Sequence, residues 1–269
     1  MSAPPRSLVN SGRILVVGGI ISYRALFNWL SPWILIPSFL VGPLAQILLF
    51  AYLGRSAGVA SDEFYVIGNA LQYAAIPCLF AMSSTIGDER EEKTLGIILS
   101  TPAPRVPLFL GRALPVILNG FLVAVFALVV GGLMFSIDVP TSAYAPILLA
   151  TLVTSFSCTG LGFVCAALAL RVRETAVLAN VVFGFLLVFC GANIPVDLLP
   201  DWMAAVSPWL PLTHGIEAAR QLADGAALGD VGDLLLKEAG VGAAFLVIGM
   251  LMLAYFEWES RRRATLETF

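Results

Sequence analysis

Three long stretches of the chain carry no charged side chain: Phe64 to Ile86, Ala113 to Phe135 and Tyr144 to Leu170. A helix needs about 20 mostly apolar residues to cross the hydrocarbon of a bilayer, at roughly 1.5 Å of rise per residue. Three further windows meet the same standard: Trp33 to Leu53, Thr175 to Ile194 and Val241 to Trp258, the last with Glu257 at its end. Lipid offers no hydrogen bonds, so a segment at that depth must satisfy its own backbone, which a helix does. The six windows predict an all-α membrane protein. With 12% charged and 59% hydrophobic residues the chain is far from a soluble domain, where about a quarter of residues are charged.

The pieces between the windows complete the expected layout. Before the first, Arg13 and Arg24 bracket an apolar run of about 15 Å as a helix, too short to span. Its arginines, Asn28 and Trp29 suit a helix lying in the headgroup layer. A cleaved leader is the rival reading, and no small-residue cleavage site follows to favour it. One domain is expected over 1–269, with a tail and interfacial helix at 1–31, the bundle at 33–258 and a second tail at 259–269. The long connection Pro195 to Gly240 shows two short helical patterns, Pro200 to Val206 and Thr213 to Leu222, with Thr213 as N-cap of the second. They read as a re-entrant hairpin dipping into the outer leaflet.

Six crossings place both termini on one side. With the termini in the cytoplasm, all 15 basic residues except Arg55, Arg220 and Lys237 fall inside. That bias sets orientation and puts Gly87 to Arg112 in the cytoplasm. The outer pieces are acidic, with Asp62, Glu63, Asp138, Asp197, Asp201, Glu217 and Glu238 among them. Acids contribute little to topology, and no ligand follows from them.

The chemistry of an enzyme is scarce. The single histidine, His214, rules out an HExxH zinc site, and no GxSxG elbow or GxxxxGK[ST] phosphate loop occurs. Cys78, Cys158, Cys165 and Cys190 each sit in an apolar run without a CxxC pair and read as small hydrophobes. No basic patch interleaved with aromatics suggests nucleic acid. The windows lack the charged residues that mark proton or ion relays. If the protein moves something, its energy comes from outside the chain.

The stretch Gly87 to Arg112, "GDEREEKTLGIILSTPAPRVPLFLGR", opens with six consecutive charged residues. Asp88, Glu89, Glu91 and Glu92 precede or open a helix of about two turns, where carboxylates complement free N–H groups. Leu95, Ile98 and Leu99 then form an apolar stripe, and Pro102 and Pro104 end it. An amphipathic helix resting on the membrane is one reading. Four acids suit an anionic leaflet poorly, so docking to a protein groove fits better.

These residues resemble the cytoplasmic loop of ABC-2 type permeases, the membrane-spanning subunits of ABC exporters. Their common wording approximates E-R-E-x-G-T-L-E-x-L-L-x-T-P followed by L-G-K/R. Glu89, Arg90, Glu91, Thr94, Leu95, Leu99, Thr101, Pro102, Leu110, Gly111 and Arg112 match it, while Lys93, Gly96 and Pro107 depart from it. "LPDWMAAVSPWLPLTHGIEAARQL" is similar to the family's outer stretch. The resemblance implies a transport subunit that is not itself an enzyme. It has no cofactor of its own, and ATP and Mg belong to a partner ATPase. Two ATPase subunits and a second permease, identical or homologous, complete the exporter in the cell membrane. The loop would then be the coupling helix, with contacts from Glu89, Arg90, Glu91, Thr94, Leu95, Leu99, Thr101 and Pro102.

The resemblance further implies a path lined by the first, second and fifth spans. Candidates are Gln46, Asn69, Gln72, Tyr73, Asn180, Phe185 and Asn193. Asn69, Gln72 and Tyr73 share one helical face, which suits a cavity stripe or helix–helix hydrogen bonding equally. Trp202, Trp209, His214, Glu217 and Arg220 are the candidates for an outer gate, although an interfacial belt is the simpler account of the tryptophans. The expected cargo is an amphipathic small molecule, natural product, drug or lipid. A polysaccharide or glycolipid exporter, an intramembrane lipid-modifying enzyme centred on His214 and a membrane scaffold without an ATPase are the alternatives.

Overall fold

A computed structural model of the chain describes residues 17–19, 40–91, 105–172 and 174–263. Helices α1 (Gly42–Ala57), α2 (Asp62–Tyr73), α3 (Ala75–Glu91), α4 (Arg105–Phe135), α5 (Tyr144–Leu168) and α6 (Thr175–Phe189) follow in order. After them come α7 (Asp201–Val206), α8 (Thr213–Ala223) and α9 (Gly232–Arg263). Short 3-10 turns stand at Thr141–Ala143, Val196–Leu198 and Ser207–Trp209. Among the described residues there is no strand.

Four helices are long and apolar enough to cross a membrane: Asp62–Ser84, Phe109–Phe135, Thr141–Leu168 and Gly232–Glu259. The first contains a break. Ala74 separates α2 from α3, and its N–H bonds back to the Leu71 carbonyl at 3.1 Å. Pro77 has no N–H for the carbonyl four residues earlier and crowds that turn, so the helix tightens there.

Several expected boundaries move. Helix α6 stops at Phe189, short of Ile194, and Gly191 at φ +77° turns the chain. At 15 residues α6 rises only about 22 Å. Helix α9 begins at Gly232, nine residues before the expected Val241, so residues counted with the outer segment belong to its first turns. Asp88 to Glu91 extend α3, and the short helix expected after them lies outside the described residues. Gly87 alone is a weak breaker, costing about 1 kcal/mol relative to Ala. The expected interfacial helix, apart from a helical piece at 17–19, and the start of the first span lie outside the described residues. Helix α1 continues past Leu53 to Ala57 and ends on Gly58 in the left-handed region.

The bundle is organised around α5. Its Thr151, Thr154, Ser155 and Thr159 hydroxyls are buried, and each donates to the carbonyl four residues back, at 2.8 to 2.9 Å. Polar atoms are thereby satisfied within the helix, leaving small side chains for packing. Against α5 lies α9, with backbone close to backbone. A Cβ at Gly242 would fall 2.6 Å from Ser157 Cα, one at Gly249 2.7 Å from the Phe163 carbonyl carbon, and one at Gly160 would overlap the Gly242 carbonyl oxygen. At the far end Arg171, which follows α5, pairs with Glu259 of α9, and its guanidinium lies 5.1 Å from the Phe256 ring centre. The four cysteines are free and buried.

Candidate functional site

Two polar assemblies lie in the half of the bundle that carries α7 and α8. The first is built from amides. Asn69 and Gln72, one turn apart on α2, are both fully buried. Gln46 of α1 donates from Nε2 to Asn69 Oδ1 at 2.9 Å and to Gln72 Oε1 at 3.2 Å. Asn193, in the bend after α6, donates from Nδ2 to the same Gln72 oxygen at 3.2 Å and to the Leu187 carbonyl at 3.2 Å. Asn69 Nδ2 is satisfied by the Tyr65 carbonyl at 2.9 Å. Tyr73 closes the α1–α2 contact, because its ring lies where a side chain at residue 42 would stand and only Gly42 leaves room.

Four of the seven path candidates are thus joined by hydrogen bonds, and Tyr73 packs beside them. Asn180 and Phe185 lie apart. Asn180 is exposed and donates to the Ala176 carbonyl of its own helix, while Phe185 is 57% exposed and stacks on Phe189. The sequence left cavity stripe and helix bonding equally open, and the geometry contains elements of both. Gln72 Nε2 and Asn193 Oδ1 are buried without a partner among the described residues, a free donor and a free acceptor in one cluster. That pattern complements a group able to accept and donate at once, such as a hydroxyl or a carboxamide. Gln72→Leu should remove the two hydrogen bonds that Gln72 Oε1 accepts and cost about 2 kcal/mol, read as an earlier thermal transition of the detergent-solubilised chain.

The second assembly surrounds α8. Arg220 is largely enclosed and bonds three carbonyls: Nη1 to Gly191 at 3.0 Å, and Nη2 to Phe64 at 3.0 Å and to Ala192 at 3.2 Å. Its guanidinium carbon lies 3.4 Å from the centre of the Phe64 ring. Gly68 makes the approach possible, since a Cβ there would sit 2.6 Å from Arg220 Nη2. Burial lowers the Arg220 pKa to about 10, which leaves the side chain charged at neutral pH. Arg220 therefore holds the start of α2 and the turn after α6 against α8.

Thr213 is not the N-cap of α8. Leu212 occupies that position at φ +82° with no side-chain cap, and Thr213 Oγ1 instead donates to the Ser207 carbonyl at 2.7 Å. The missing cap comes from α9. Glu238, fully buried, accepts from the Leu212 N–H at 2.8 Å and from the Gly215 N–H at 3.1 Å. From the sequence alone Glu238 counts among the acids of the outer pieces. Its signal was present: Val231, Leu235, Glu238 and Gly242 recur at helical spacing, and all are buried.

The remaining gate candidates are separated by environment. His214 Nε2–H donates to the Pro208 carbonyl at 3.0 Å, which fixes the proton on that nitrogen. Glu217 is exposed and accepts from Gln221 of its own helix. Trp202 and Trp209 are 65% and 75% exposed, and the edge of Trp202 meets Phe189 at 5.9 Å. Of the coupling candidates, Glu89, Arg90 and Glu91 lie in the last turn of α3, whereas Thr94, Leu95, Leu99, Thr101 and Pro102 lie outside the described residues. Among the described residues no group of His, Cys, Asp and Glu is placed to hold a metal.

Long apolar helices, a core of buried hydroxyls and amides, and small-residue helix seams define an integral membrane protein of the helical, polytopic class. The family model of the ABC-2 type transporter matches residues 19–223, and the chain belongs to that family. It is a permease subunit, the membrane component of an ABC transport system. No curated protein matches the chain.

Proposed function

We propose that this permease is the membrane half of an ATP-driven exporter. Two copies, or this chain and a homologue, assemble with two ATPase subunits that bind ATP and Mg. The spans cross six times, with both termini in the cytoplasm. The segment Gly87 to Arg112 is the coupling handle. Glu89, Arg90 and Glu91 make polar contacts to the ATPase, Leu95 and Leu99 fill its groove, and Thr94, Thr101 and Pro102 shape the contact. The family match carries this reading, because residues 19–223 contain both the handle and the amide cluster. Closing of the ATPases moves the handles and biases the bundle between two arrangements, one open inward and one outward.

The cargo is a neutral or weakly charged amphiphile: a small molecule, natural product, drug or lipid. Support comes from the amide cluster, where Gln72 and Asn193 offer a donor and an acceptor but no charge. Trp202, Trp209, His214, Glu217 and Arg220 belong to the segment that gates the outer exit.

Affinity purification of the tagged full chain from its native membrane tests the proposal. An ABC ATPase should co-purify, and vesicles containing the pair should accumulate an amphiphilic dye only when ATP is supplied. A chain that transports without such a partner, or that never recruits one, would refute it.

A further inference from the structure

Helix α8 is held by two enclosed polar side chains, Glu238 and Arg220, that do not pair with each other. At its N-terminus the carboxylate of Glu238 reaches across from α9, a helix packed along α5, and replaces the absent N-cap. The residue it holds, Leu212, has a fully buried side chain and a backbone in the sparsely populated left-handed region, where a leucine stays only under external constraint. In its C-terminal half α8 carries Arg220, whose carbonyl partners belong to α2 and to the turn after α6. A further contact fixes the first turn against α5: a Cβ at Gly215 would overlap the Thr154 hydroxyl.

We infer that α8 is a cross-brace. Glu238 and Arg220 are its positioning residues, and through them the α5–α9 pair, α2 and the turn after α6 move as one body at this end of the bundle. Burying a carboxylate and a guanidinium is costly, and a hydrophobic pair would pack as well. What the polar groups add is direction, because each is satisfied by backbone groups of particular segments. The brace deepens the gate assigned above and rests on that reading for its role in transport. Its mechanical content does not depend on cargo or ATPase.

The test uses the full chain in lipid nanodiscs, with Glu238→Gln and Arg220→Lys as near-isosteric variants that keep the fold within reach. Hydrogen exchange should quicken about tenfold at residues 212–216 in Glu238→Gln, the loss expected for a helix cap. In Arg220→Lys it should quicken at 217–223, while 151–167 of α5 keep native protection in both. Spin labels at Val59→Cys, before α2, and Asp233→Cys, at the start of α9, should give one narrow distance distribution in the parent and a broadened one in each variant. The inference fails if α8 exchanges at the native rate in both variants, or if protection falls throughout the bundle. It fails equally if α8 loosens while the label distance stays narrow, since α8 would then be a passive cover. A loss of transport with an intact brace would count against the exporter reading and leave the brace standing.

Discussion

Gly242→Val should prevent assembly of the native bundle. Helices α5 and α9 meet with backbone against backbone at Gly242: a Cβ there would lie 2.6 Å from Ser157 Cα and 3.0 Å from its Cβ. These are main-chain or first side-chain atoms, so no rotamer change relieves the clash and the helices must separate. Overpacking of a tight core costs about 3 kcal/mol at the upper end of the usual range, and here the backbone itself must move. Separation would also pull Glu238, one turn earlier on α9, from the N–H groups of Leu212 and Gly215. The expected result is loss of the monodisperse peak in fluorescence-detected size exclusion after mild heating. Gly184→Ala is the control, because nothing lies within 4 Å of a Cβ there. That change should be neutral or slightly stabilising, with the better helix former contributing up to about 1 kcal/mol.

Leu95→Asp should separate the permease from its ATPase while leaving the bundle folded. On the proposed reading Leu95 and Leu99 fill a groove of the partner. Removing one leucine and asking the groove to accept a carboxylate sacrifices about 3 kcal/mol, a loss of roughly 100-fold in affinity. The thermal transition of the purified chain should not change, whereas recovery of the ATPase on the tagged permease should fall to background. Retained recovery together with retained ATP-dependent transport would remove Leu95 from the contact.

The sequence reveals the bundle wherever a single property decides. Uncharged windows mark the four long helices because lipid tolerates little else, and the pattern of Pro200 to Val206 and Thr213 to Leu222 anticipates α7 and α8. The amide cluster was partly legible: Gln46, Asn69, Gln72 and Asn193 are costly in lipid and had to meet something. Sequence spacing puts only Asn69 and Gln72 on one face, and the tertiary fold supplies the other two. The α8 cap was hidden for a related reason. Thr213 is the better local cap by residue type, yet Glu238 takes that function from a different helix, and local rules do not look across such a gap. Counting Glu238 with solvent-facing acids followed from starting the last span at Val241. Once α9 is extended to Gly232, the same acid falls on the buried stripe. The end of α6 was overrun because Cys190 to Ile194 are apolar enough to continue, and only the positive φ of Gly191 shows that they turn.

Everything in the proposed mechanism requires Gly87 to Arg112 to face the compartment that holds ATP. Single cysteines at Gly96 and Ser100, beside the acidic knob, test this in whole cells with a membrane-impermeant maleimide; the native cysteines are buried in the bundle. Both positions should stay unlabelled in intact cells and react fully once the membrane is permeabilised. Labelling of either position in intact cells would invert the topology and contradict the assignment of the handle to an ATPase.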